Sequence, residues 1–140
     1  MTTSTTTTNT TTNTTTNLPS TNRPAPVTWF EIHTADRSRA ERFYGELFGW
    51  NFDHSMPDYS MIDLDQSAPH GGGIADTKGE SPSGAIFHVE VPDVDASCAA
   101  VTAAGGSVVV PTQTTPIGLQ FAYVADPDGS MFGLFCPPTE

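Results

Sequence analysis

The chain has 140 residues and a formal charge of −11, with Arg23, Arg37, Arg39, Arg42 and Lys78 as its only strong cations. Phosphate backbones and anionic lipids would be repelled from most of such a surface, so nucleic-acid binding is not expected. No stretch reaches the roughly 20 apolar residues that span a bilayer, and the opening lacks the basic and apolar regions of a secretory signal, so a cytoplasmic protein with no membrane partner is expected.

Residues 1–24 open with TTSTTTTNTTTNTTTN, almost devoid of apolar side chains. Such a segment buries too little surface to offset its ordering entropy and reads as a disordered tail. Asn9 and Asn13 sit in N-x-Thr sequons, which a Thr/Asn repeat generates by chance. Residues 25–140 are the length of a single domain.

From Phe30 to Trp50 the sequence FEIHTADRSRAERFYGELFGW reads as a short strand, an aspartate-headed turn and an amphipathic helix that stops at Gly49. Ala40, Phe43, Tyr44 and Leu47 follow the spacing of a buried helical stripe. The strand would meet that stripe with Phe30 and Ile32, which leaves Trp29, Glu31 and His33 on the opposite, concave side. The three helix arginines read as a solvated face. Next come the alternating run Tyr59 to Leu64, with Tyr59, Met61 and Asp63 facing inward, and the glycines Gly71 to Gly73, which suit a bulge or close strand packing. His54 and His70 read as capping or solvent-facing residues.

A second copy of the plan begins near Ile86 with IFHVEVPDVDASCAAVTAAGG. Val89 and Val91 would lie beneath a helix stripe of Val94, Cys98 and Val101, and Ile86, His88 and Glu90 would face the concave side. The runs Leu119 to Ala125 and Met131 to Cys136 follow. In the last of these Phe132, Leu134 and Cys136 would be core, while Met131, Gly133 and Phe135 line the cleft. Two βαβββ modules are implied, residues 27–77 and 84–136, in an α+β domain. Cys98 and Cys136 lack C-x-x-C spacing and suit small buried residues of a reduced protein, a disulfide being the less favoured alternative.

The segments ERFYGELFGW, VEVPDVDA and DPDGSMFGLF, in this order, resemble the glyoxalase/bleomycin-resistance family, also called the vicinal oxygen chelate superfamily, across residues 27–136. The resemblance implies a cup-shaped mixed sheet and, because the cup is open, a homodimer. It also implies a divalent metal held by His and Glu side chains from symmetry-related strands. Three of those positions fall on Trp29, Ile86 and Gly133, none of which can ligate, so no metal cofactor is expected. The alternative is a displaced centre or an acid–base set built from Glu31, His33, His88 and Glu90, which are the candidate catalytic residues.

Other chemistry is absent from the sequence: there is no G-x-S-x-G elbow, no Walker loop, and no P-C-x-x-C after the H-x-E of His88 to Glu90. The expected function is capture or sensing of a small molecule, cationic or aromatic, in a cleft lined by Trp29, Glu31, His33, Asp63, His88, Glu90, Met131 and Phe135. A glyoxalase-like lyase or isomerase, or a dioxygenase, is the alternative.

Overall fold

The computed structural model describes residues 24–64 and 71–138. His70 and the Thr/Asn-rich segment through residue 23, with Asn9 and Asn13, lie outside the described residues. The chain runs β1 (Val27–Thr34), α1 (Arg37–Phe48), β2 (Asn51–Met56), β3 (Tyr59–Asp63) and β4 (Gly71–Asp76), and then repeats the plan. The second pass is β5 (Gly84–Glu90), α2 (Val94–Ala103), β6 (Ser107–Thr114), β7 (Gln120–Ala125) and β8 (Met131–Cys136). No described helix is long and apolar enough to cross a membrane.

Local chemistry sets the helix limits. Asp36 and Asp93 each accept a hydrogen bond from the backbone N–H three residues on, at 3.0 Å, and so cap α1 and α2. Gly49 closes α1 at φ 74°, and Gly105 follows α2 at φ 97°, a left-handed backbone that a Cβ would strain.

The strands form one mixed sheet in the order β2-β3-β4-β1-β5-β8-β7-β6. β1 runs parallel to β4, β5 runs parallel to β8, and β1 and β5 pair antiparallel at the centre. Each half therefore mirrors the other about the β1/β5 seam, and residues of both modules meet across it.

Two cores lie between the sheet and its helices. Ile32, Ile62 and Ile74 gather Phe30, Ala40, Tyr44, Trp50, Phe52 and Leu64 in module one. Val91, Val94, Ala122, Val124 and Leu134 gather Val89, Cys98, Val101, Phe132 and Cys136 in module two. The face assignments of β1, β5 and β8 hold, and both thiols are free.

One expectation fails. Phe43 and Leu47 do not belong to the buried stripe of α1; they are 58% and 59% exposed, and no residue of α1 is fully buried. The side turned to the sheet carries Arg37, Ala40, Glu41, Tyr44 and Gly45 instead, again at helical spacing. The reason lies in β3, where fully buried Ser60 donates to Glu41 Oε2 and accepts from Arg37 at 3.4 Å. Burying that hydroxyl without partners would be costly, so the helix is turned to bring its polar groups over Ser60. His54 continues this network by pairing with Glu41 at 2.8 Å.

Candidate functional site

Successive rows of side chains cross the seam on the concave face. Trp29 of β1 lies opposite His88 of β5, His88 opposite Gly133 of β8, and Gly133 opposite Tyr123 of β7. One step along, Glu31 lies between Gly73 of β4 and Ile86 of β5, and a further step places His33 beside Ala75, itself opposite Tyr59 of β3.

Glycines in these rows make room for rings. The space a Cβ would occupy at Gly133 is filled by the His88 imidazole, at Gly73 by the Tyr59 ring and at Gly71 by the Trp29 indole. On the opposite face the ring of Phe30 fills the same space over Gly72. The glycine run of β4 thus serves close packing rather than phosphate binding. From β7, Tyr123 reaches Glu31 of β1 with its hydroxyl.

Glu31 is the hub. Its Oε1 accepts from His33 Nε2 at 2.7 Å and from the Tyr123 hydroxyl at 2.5 Å, and its Oε2 lies 3.8 Å from His88 Nε2. Tyr59 accepts from Trp29 Nε1 at 3.0 Å and turns its own hydroxyl toward Glu31. The Tyr123 ring stands edge-on to both imidazoles, and that of Phe135 edge-on to His88. Glu31, His33 and His88 are all buried, 4%, 7% and 3% exposed, so they form the floor beneath the aromatic rings rather than the open wall that the sequence suggested.

Burial alone would raise the Glu31 pKa, but the hydrogen bond from His33, the neighbouring His88 and the two tyrosine hydroxyls together hold it below the ordinary carboxylate value. Burial depresses the His88 pKa against the pull of Glu31, which keeps that imidazole neutral. Burial, with the Glu31 charge, raises both tyrosines far above their usual range, so they stay protonated as donors. An ionised carboxylate only accepts, so His33 Nε2 carries the proton it shares with Glu31. Nδ1 of His33 and Nδ1 of His88 are then buried without a partner. Each such orphan costs about 1–3 kcal/mol and is the kind of debt a ligand or ordered water relieves.

The remaining residues expected at the site are placed as follows. Met131 and Phe135 share the Gly133 face of β8. Glu90 does not join the hub; at the end of β5 it accepts from the Thr28 hydroxyl at 3.1 Å, drawn there by the register shift between Val27 and Trp29. Asp63 sits exposed at the end of β3, away from the hub. Tyr123 is the group that sequence reasoning left out. Alternation between core Ala122 and core Val124 would have pointed it inward.

The family's metal does not fit this donor set. The positions that the resemblance assigns to its ligands hold Trp29, Ile86 and Gly133, and the inward residues of β4, beside β1, are Gly71, Gly73 and Ala75. Both Nε2 atoms of the displaced alternative are turned to Glu31, Glu90 is engaged elsewhere, and no three His, Cys, Asp or Glu side chains among the described residues are arranged to hold an ion.

Comparison with known proteins agrees with this fold. A family model described as bleomycin resistance protein-like N-terminal matches residues 27–65. The chain is 31% identical over 122 residues to the "Putative glyoxylase CFP32" of Mycobacterium tuberculosis, an alignment covering 81% of this chain and 46% of that protein. It thus spans about half the length of this relative. It is also 31% identical over 87 residues to a glyoxylase-like domain-containing protein of Didymella fabae, covering 57% of this chain and 68% of that one. Among solved structures, methylmalonyl-CoA epimerase from Mycobacterium tuberculosis superposes with a TM-score of 0.59 at 15% identity, over 81% of this chain and 88% of the other. The Streptomyces coelicolor epimerase in complex with 2-nitronate-propionyl-CoA does so with a TM-score of 0.59 at 15% identity, over 82% and 99%. Identities this low speak for the fold alone.

Proposed function

Because the chain belongs to the glyoxalase/bleomycin-resistance superfamily yet lacks its ligand set, we propose that the concave face captures a small cationic aromatic molecule without a metal. The observation that carries this reading is Glu31, a buried carboxylate bonded by His33 at 2.7 Å and by the Tyr123 hydroxyl at 2.5 Å, with Tyr59 turned to it, Trp29 on Tyr59 and Phe135 on His88. Aromatic faces above a buried negative charge attract cations, and the overall charge of −11 draws them toward the protein.

A general base that removes a proton next to a carbonyl needs a pKa near the working pH, and the donors around Glu31 push it the other way. This favours capture over turnover. The second reading, an acid–base lyase or isomerase, draws on His88, which burial keeps neutral beside Glu31.

Calorimetric titration with phenyltrimethylammonium, benzyl alcohol and benzoate separates these ideas from simple apolar binding. The cation is expected to bind at least about ten-fold more tightly than the other two, and Glu31→Gln to remove most of that preference. Equal binding of all three would overturn the proposal.

A further inference from the structure

On the side of the sheet away from Glu31, a cavity of about 430 Å³ opens between α1 and the edge strand β2. Its helix wall is Glu41, Arg42, Gly45 and Glu46, at the spacing of one helical face. Its floor is Trp50 and Phe52, both half-buried in the module-one core. The floor stays uncovered because residue 45 has no side chain. A Cβ there would come within 3.2 Å of the Trp50 carbonyl oxygen and 3.4 Å of the Phe52 ring.

The charged groups around this floor are of two kinds. Glu41 is engaged, since it pairs with His54 at 2.8 Å and accepts from the buried Ser60 hydroxyl. Arg42 and Glu46 are not. Both are exposed, both line the cavity, and among the described residues neither makes an ion pair or a side-chain hydrogen bond. Opposite charges four residues apart on a helix are neighbours, about 5–6 Å between Cβ atoms, but with the cation on the N-terminal side the pair is in its weaker orientation. Glu46 also stands in the last turn of α1, which carries no base, and an anion at that end of a helix is unfavourable.

The cavity therefore presents a guanidinium without an anion and a carboxylate without a cation, one helical turn apart over an apolar floor. A simple cation or a simple anion answers one of them and leaves the other. A ligand with both charges on neighbouring atoms answers the two together. Its carboxylate suits the planar fork of Arg42, and its ammonium supplies the positive charge that the C-terminal end of α1 lacks. We infer that this cavity binds a zwitterionic amino acid with an apolar side chain, the carboxylate on Arg42, the ammonium on Glu46 and the side chain over Trp50 and Phe52. The cup and this cavity lie on opposite faces of the sheet, so the ligand assigned to Glu31 has no part in the inference.

The chain has two tryptophans, Trp29 in the cup and Trp50 in the cavity, and their indole N–H signals in proton–nitrogen NMR report the two sites separately. Titration of the full chain with L-leucine is expected to shift the Trp50 signal and to leave that of Trp29 in place. Isoamylamine and isocaproate, which each keep one of the two charges, should bind at least about three-fold more weakly. Arg42→Gln should erase the advantage of leucine over the amine, and Glu46→Gln its advantage over the acid. Both side chains are exposed, so circular dichroism of the variants should match the wild type. A Trp50 signal that leucine does not move, or a leucine affinity that both variants leave unchanged, would overturn the inference. A shift of the Trp29 signal alone would place the binding in the cup and overturn it as well.

Discussion

The two helices stand at equivalent places in the two modules and are docked by opposite means. α2 fits into its module with Val94 and Ser97 fully enclosed, over a core of Val91, Ala122, Val124 and Leu134. α1 encloses none of its residues and is held by Ala40, Tyr44 and the polar tether through Ser60, with its larger apolar side chains left outside. A shared backbone plan thus fixes where a helix lies but not which stripe it buries. On the concave side the modules do not differ in this way; they share one network, with Glu31 and His33 from the first and His88 and Tyr123 from the second.

The strongest way to break this picture is at the shared network. Glu31→Gln removes the charge that His33 and both tyrosines address, and a loss of about 3 kcal/mol is expected in urea unfolding. Gly133→Ala, in the other module, forces a methyl group into the space of the buried His88 ring and should cost about 2–3 kcal/mol. A cost near zero for Glu31→Gln would mean that the two modules are not joined through this network.

The helix contrast predicts smaller and unequal effects. Val94→Ala in α2 should cost about 2 kcal/mol. Phe43→Ala in α1 should stay within about 0.5 kcal/mol. Equal losses would show that α1 is packed as tightly as α2.

Titration sharpens the comparison further. The folded pKa of His88 lies below its ordinary 6.5, so below that pH the unfolded chain takes up a proton that the folded chain resists. The folded pKa of Glu31 lies below 4.5, and the same argument applies there as pH falls further. Both contributions have one sign: they are fully present above pH 6.5 and diminish on acidification, the His88 part first. Urea midpoints should therefore fall as the pH is lowered from neutral, and His88→Gln should flatten the upper part of that fall.

Much of the architecture was legible because strands β1 and β5 alternate cleanly. Period two alone separates Phe30 and Ile32 from Glu31 and His33, and Val89 and Val91 from His88. The orientation of α1 was not legible, because Ala40/Phe43/Tyr44/Leu47 is a sound apolar stripe by local pattern. It yields to a buried serine that is near the helix only after β3 has folded beneath it. The hub was half legible. Side-chain parity placed Glu31, His33 and His88 on one face, but it could not show that Glu90 lies beyond a register shift. Nor could it show that Tyr123, from β7, reaches Glu31 of β1.

The most direct test is the titration of the Glu31 carboxyl carbon followed by NMR, with Glu31→Gln as the assignment control. A midpoint below 4.5 is expected, as for an ionised anchor beneath aromatic rings. A midpoint near neutrality would contradict it and identify Glu31 as a carboxyl poised to exchange protons with a substrate.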